Sequence, residues 1–185
     1  MTAVDVKRNK TVDIAQIAMF AAILAICSWI SIPTAIPFTL QTFGVFLAVG
    51  VLGGKKGTLA VVVYIILGMI GVPVFAGFSG GMQVLLGSTG GYIIGFILSA
   101  LLMWTMEKIF GKNKAVLLIS MILGLLVCYL FGTIWFMTVF AKTSGAIGIW
   151  TALTWCVIPY LIPDGIKIAV AFVLSLKLTK ILKFD

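Results

Sequence analysis

Asp164 and Lys167 stand three residues apart near the end of an otherwise apolar stretch, Pro163-Asp164-Gly165-Ile166-Lys167-Ile168-Ala169-Val170. On a helix that spacing sends both side chains from one face. The carboxylate can accept from N–H groups, and the ammonium can donate or act as counter-charge. An ionisable pair entering an apolar helix is costly, which makes it a functional-site hypothesis by default. The plainer reading is that Asp164 opens and caps the helix beside Pro163 while Lys167 neutralises it.

A second constellation is Gly87-Ser88-Thr89-Gly90-Gly91-Tyr92. Its glycines allow a ligand to approach the backbone, Ser88 or Thr89 can cap the helix that follows, and first-turn amides favour an anion such as a carboxylate. A flexible loop with an ordinary cap, and Tyr92 as an interfacial anchor, would look the same. Thr39 and Gln41 can add neutral polar groups to the same cavity, or simply start a helix. Phe75, Phe78 and Met82 lie in a glycine-rich stretch and can wall an apolar ligand, as they can also face lipid or core. Ala18 and Ala22, one turn apart on the first helix, permit close approach of another helix.

Several chemistries are excluded by what is missing. The chain has no histidine and no CxxC pair among its three cysteines, Cys27, Cys128 and Cys156, so no metal or other cofactor is expected. Those cysteines fit apolar packing. Gly50 to Lys56 departs from a phosphate loop because Lys55 is followed by Lys56 rather than Ser or Thr. With no GxSxG and no second intramembrane carboxylate beside Asp164, an enzyme is disfavoured.

The elements that must position these residues are membrane helices. Of 185 residues, 62% are hydrophobic and 10% charged, against roughly 25% charged in a soluble domain. At about 20 residues per crossing, the chain has room for five to seven crossings in a single domain covering residues 1–185. We place helices at about Val12–Ile32, Leu40–Leu52, Thr58–Val72, Gly90–Phe110, Ala115–Phe140 and Asp164–Leu182, an all-α fold with six transmembrane helices. The first apolar run is read as a retained helix rather than a signal peptide. Gly71 to Gly91 is too glycine-laden for a stable regular helix. The connection Ala141 to Pro163, with Trp150, Trp155 and Tyr160, suits an aromatic belt and a helix lying partly in the membrane.

The net charge of +8 is dispersed in short clusters between apolar runs, which points to anionic lipid head groups rather than nucleic acid. Six crossings put Lys7, Arg8, Lys10, Lys55, Lys56, Lys108, Lys112, Lys114, Lys177, Lys180 and Lys183 on one side, leaving only Lys142 on the other. Positive charge favours the cytoplasm, so both termini are expected there.

In order along the chain, Pro37-Phe38-Thr39-Leu40-Gln41-Thr42, Gly53-Gly54-Lys55-Lys56-Gly57, Gly68-Met69-Ile70-Gly71-Val72-Pro73-Val74-Phe75 and Gly87-Ser88-Thr89-Gly90-Gly91-Tyr92 resemble the BioY family, the biotin-binding S components of energy-coupling factor transporters. The resemblance covers essentially the whole chain. It implies a subunit of the prokaryotic cell membrane that captures biotin outside and delivers it inward with a transmembrane coupling subunit and two cytoplasmic ATPases. It also implies that Ala18 and Ala22 face the coupling subunit. The family's Pro-Gly-Asp is replaced here by Pro163-Asp164-Gly165, a carboxylate displaced by one residue. Biotin would offer its ureido N–H groups to Asp164 and its ureido carbonyl to Lys167, with Gln41, Thr39 and Tyr92 as neutral contacts and the amides near Ser88 and Thr89 on the carboxylate. The opposite orientation, with Lys167 on the tail, fits the same residues. Without the resemblance, a homo-oligomeric channel lined by Asp164 and Lys167 is the alternative.

Overall fold

The computed structural model describes residues 10–33 and 37–182. Lys7, Arg8 and Lys183 of the basic clusters lie outside them. Eight α-helices follow in order among the described residues: α1 Lys10–Trp29, α2 Gln41–Leu52, α3 Gly54–Met69, α4 Met82–Leu86, α5 Gly90–Phe110, α6 Lys114–Ser144, α7 Ile149–Cys156 and α8 Leu161–Leu182. Short 3-10 turns stand at Ala76–Phe78 and Ile158–Tyr160. A two-residue ribbon, β1 Ser31–Ile32 against β2 Phe38–Thr39, is antiparallel in the register Ser31 to Thr39 and Ile32 to Phe38. The chain is all-α apart from that ribbon.

Among the described residues, four stretches are long and apolar enough to cross a membrane: Lys10–Trp29, Gly90–Phe110, Lys114–Lys142 and Ile149–Ile181. The other two expected crossings, α2 and α3, are shorter, with 12 and 16 residues, or about 18 and 24 Å of helix against about 30 Å of hydrocarbon. Helix α2 is buried along most of its length, packed among α1, α3, α5 and α8. Large apolar side chains instead face outward from the surrounding helices, among them Ile14, Ile26, Ile66, Leu130 and Ile166. A surface so apolar suits hydrocarbon rather than water.

Several boundaries differ from those expected, each for a local reason. Helix α3 begins at Gly54, not Thr58, because Gly53 turns the chain at φ 79° and the Glu107 carboxylate accepts from the Gly54 amide at 2.5 Å, satisfying a helix start that glycines alone would leave open. Lys55 and Lys56 therefore sit in the first turn of α3 rather than in a polar turn. Helix α6 runs on to Ser144, and the connection after it contains α7. The glycine-rich stretch also carries the short α4. Helix α8 starts at Leu161, so Asp164 does not open it. Pro163 occupies its first turn, where no intrahelical N–H is required.

The core joins α1, α2, α3, α5, α6 and α8. Glycine permits a close approach here: a Cβ at Gly68 would lie 2.0 Å from the Phe75 ring. The loop after α3 consequently folds back onto α3, its Gly81 amide donating to the Gly68 carbonyl at 2.7 Å. That return places Phe75 over one end of the bundle.

Candidate functional site

At that end, β2, the starts of α2, α5 and α8, the middle of α6 and the end of α7 surround a cavity of about 200 Å³. Thr39, Gln41, Phe75, Thr89, Tyr92, Asp164 and Lys167 all line it. These residues are spread over more than 120 positions of sequence, and the fold alone brings them together.

The polar end is built on α8. Lys167 Nζ donates to Asp164 Oδ1 at 2.7 Å and to the Thr39 carbonyl at 2.6 Å, and stands 4.0 Å from the centre of the Phe38 ring. Asp164 Oδ1 also accepts from Thr42 Oγ1 at 3.1 Å, and Oδ2 accepts from the Tyr129 hydroxyl at 2.5 Å. Asp164 and Lys167 are 3% and 7% exposed. Burial of this depth requires partners for both charges, and each finds them. The carboxylate thus bonds three side chains and is not spent on a helix cap. A carboxylate at 164 shares a helix face with Lys167, whereas one at 165 would point roughly 100° away.

Beside this pair, Thr39 Oγ1 donates to Gln41 Oε1 at 2.8 Å, and Gln41 Nε2 donates to the Tyr64 hydroxyl at 2.6 Å. The Gln41 amide is held in one orientation by both bonds. Across the cavity, Tyr92 pairs its hydroxyl with Thr133 Oγ1 at 2.9 Å, and its ring rests on Gly132, where a Cβ would lie 2.3 Å from it. Phe75, Val84, Ile93 and Phe96 supply apolar wall. Phe38 and Tyr160 stack at 6.2 Å beside the lysine. An apolar slot ending in one acceptor, one cation and oriented neutral dipoles suits a compact solute with N–H and carbonyl groups at one end.

Three expected residues, Met82, Ser88 and Phe78, stand outside the lining. Met82 is 49% exposed, on α4, and Ser88 is half-buried in the turn before α5. That turn is tied to α6, its Gly87 carbonyl accepting from Trp135 Nε1 at 3.0 Å. Thr89 is at the N-cap position of α5 without a side-chain cap bond, and the Gly90 and Tyr92 amides bond the Gly87 and Thr89 carbonyls. Phe78 stacks on Trp29 at 5.0 Å instead of lining the cavity. Ala18 and Ala22 are exposed on the outer face of α1.

Sequence reasoning missed Thr42, Tyr129 and Phe38. Tyr129 left one signal, a phenolic hydroxyl inside an apolar span, which must find a partner once buried.

The BioY family's sequence model matches residues 2–184. The chain belongs to the BioY family. A biotin transporter BioY of Thermotoga maritima is 43% identical over 165 residues, covering 88% of this chain and 93% of the relative. A probable biotin transporter BioY of Pyrococcus horikoshii is 39% identical, covering 91% and 97%. The crystal structure of the S-component for biotin from an ECF-type ABC transporter superposes with a TM-score of 0.83 at 28% identity, covering 97% of this chain and 95% of that one. The BioY relatives are transporters, and the all-α architecture agrees with that membership.

Proposed function

We propose that this chain is the biotin-capturing S component of an energy-coupling factor transporter, a single six-helix domain of the cell membrane with both termini in the cytoplasm. The observation that carries the reading is the buried Asp164–Lys167 pair closing one end of an otherwise apolar cavity. Biotin matches it group for group. Its ureido N–H groups face Asp164, its ureido carbonyl faces Lys167, Gln41 and Thr39 flank the ring, the thioether lies along Phe75 and Phe96, and the tail runs towards Tyr92 and Thr89.

Biotin transport by the named relatives supports the choice of ligand. The charge alternation supports the orientation, with α2 and α3 as short crossings and the cavity outside. A transmembrane coupling subunit and two cytoplasmic ATPases would supply the energy, since this chain carries no phosphate-binding loop of its own. The exposed Ala18 and Ala22 are the proposed contact with the coupling subunit.

Calorimetry of the purified chain against biotin, thiamine and riboflavin tests the reading. Saturable binding of biotin alone is expected. Equal binding of all three, or solute flux through the chain without partners, would count against it.

A further inference from the structure

A second cavity, of about 260 Å³, lies between α2, α5, α6 and α8 at the other end of the bundle. About 18 Å of α8 separates Thr179 on its wall from Lys167 in the first. Its interior is apolar, formed by Val49, Met103, Leu117 and Leu176, while Lys112, Lys114 and Lys180 ring its mouth. Ser175 lines it too, fully buried, with a hydroxyl that has no hydrogen-bond partner. A buried hydroxyl without a partner is costly. The site lacks an acceptor at that point.

Among the described residues the only carboxylate on the wall, Glu107, uses Oε2 to cap the Gly54 amide and meets Lys112 only at 3.9 Å. The Lys112 side chain remains 74% exposed. Three ammonium groups against one carboxylate therefore leave the mouth net positive. A hydrated inorganic anion gains nothing from the apolar interior, and a neutral hydrocarbon gains nothing from the lysines. One kind of molecule uses both.

We propose that this cavity binds an anionic phospholipid, one acyl chain against Leu117 and Leu176 and the head-group phosphate among Lys112, Lys114 and Lys180. Ser175 stands about 7 Å along the helix axis inside Lys180 and donates to an ester carbonyl of the same lipid. This inference does not depend on the identity of the solute in the first cavity.

Native mass spectrometry of the full purified chain tests it, with dioleoylphosphatidylglycerol, dioleoylphosphatidylcholine and glycerol 3-phosphate as probes. Phosphatidylglycerol should be retained at least about tenfold better than phosphatidylcholine, given roughly 1 kcal/mol for each lysine near an anionic head group. Glycerol 3-phosphate should not compete. The triple variant Lys112→Gln, Lys114→Gln, Lys180→Gln should erase the preference, and Leu117→Trp should weaken retention of both lipids, with monodisperse gel filtration checking the fold. Equal retention of the two lipids by the parent, or an unchanged preference in the triple variant, overturns the proposal. So does competition by glycerol 3-phosphate, which would mark a simple phosphate site. Loss of co-purification with partner subunits in Leu117→Trp, without any lipid preference in the parent, would make the cavity a protein-docking site and overturn it as well.

Discussion

Two buried lysines in this molecule make nearly the same bonds in different surroundings. Lys167 meets Asp164 at 2.7 Å at one end of the bundle; Lys56 meets Asp13 at 2.6 Å and Gln16 Oε1 at 2.9 Å at the other. Both are under a tenth exposed. The difference lies in what surrounds them. Lys167 and Asp164 belong to one helix and border a cavity, so part of their hydrogen-bonding surface faces space that a ligand can fill. Lys56 reaches from α3 to α1, and neither cavity described above includes it. A buried ion pair is therefore a weak sign of function by itself. Its combination with an adjoining cavity is the informative feature.

The comparison breaks most clearly through single substitutions at the two ends. Lys167→Ala removes a donor and leaves Asp164 without its counter-charge, and Asp164→Asn weakens acceptance from N–H groups. Each should lower biotin affinity by roughly ten- to hundredfold, as expected for a charged hydrogen bond worth about 1.5 to 3 kcal/mol. Lys56→Met should change affinity less than about twofold while lowering the thermal midpoint, because the bonds from Lys56 to Asp13 and Gln16 are lost. Calorimetry and thermal unfolding in detergent separate the two results. A Lys56 variant that loses biotin as completely as Lys167→Ala would erase the distinction.

A smaller effect is expected one contact further out. Tyr129→Phe keeps the ring but removes the hydroxyl bonded to Asp164 Oδ2. Affinity should fall by about tenfold or less, since Thr42 and Lys167 still hold the carboxylate. Calorimetric affinities of Tyr129→Phe and Thr42→Val, measured side by side, show whether the carboxylate must be fixed at both oxygens. Wild-type affinity in both variants would mean that Lys167 alone orients it.

The legibility of these regions in the sequence follows from rarity. Asp164 and Lys167 were visible because charge inside an apolar run is uncommon, and the i, i+3 spacing gave their shared face. The long helices were visible for the opposite reason, their uninterrupted apolar length. Thr42 and Phe38 gave no such signal, being ordinary residues near a helix start. Their role depends on β2 and α2 packing against α8, a contact across 122 positions in the case of Thr42 and Asp164. Met82 and Ser88 looked like site residues because they flank the glycine-rich turns. In the fold Met82 is exposed and Ser88 half-buried, neither lining the cavity, which composition does not encode. The start of α3 was misplaced because its cap comes from Glu107, 53 residues away. The sequence groups Lys56 with the basic clusters, and only the packing of α1 on α3 shows that it is buried.

The smallest expected change in binding comes from the outer face of α1, where the role of the Lys56 pair can be sharpened. Asp13 and Gln16 bond Lys56 from one side of that helix, while Ala18 and Ala22 face outward. If Ala18 and Ala22 are the proposed coupling contact, the pair fixes the helix that presents them and has no part in capture. Ala22→Trp places a large ring on that exposed face without touching the cavity or the Lys56 bonds. Biotin affinity of the isolated chain should stay within about twofold, and uptake by cells expressing the whole transporter should fall severalfold, because close helix approach requires small side chains. Equal loss of affinity and uptake would place Ala22 in the internal packing of the subunit. Unchanged uptake would move the coupling contact to another face, and the Lys56 pair would then serve stability alone.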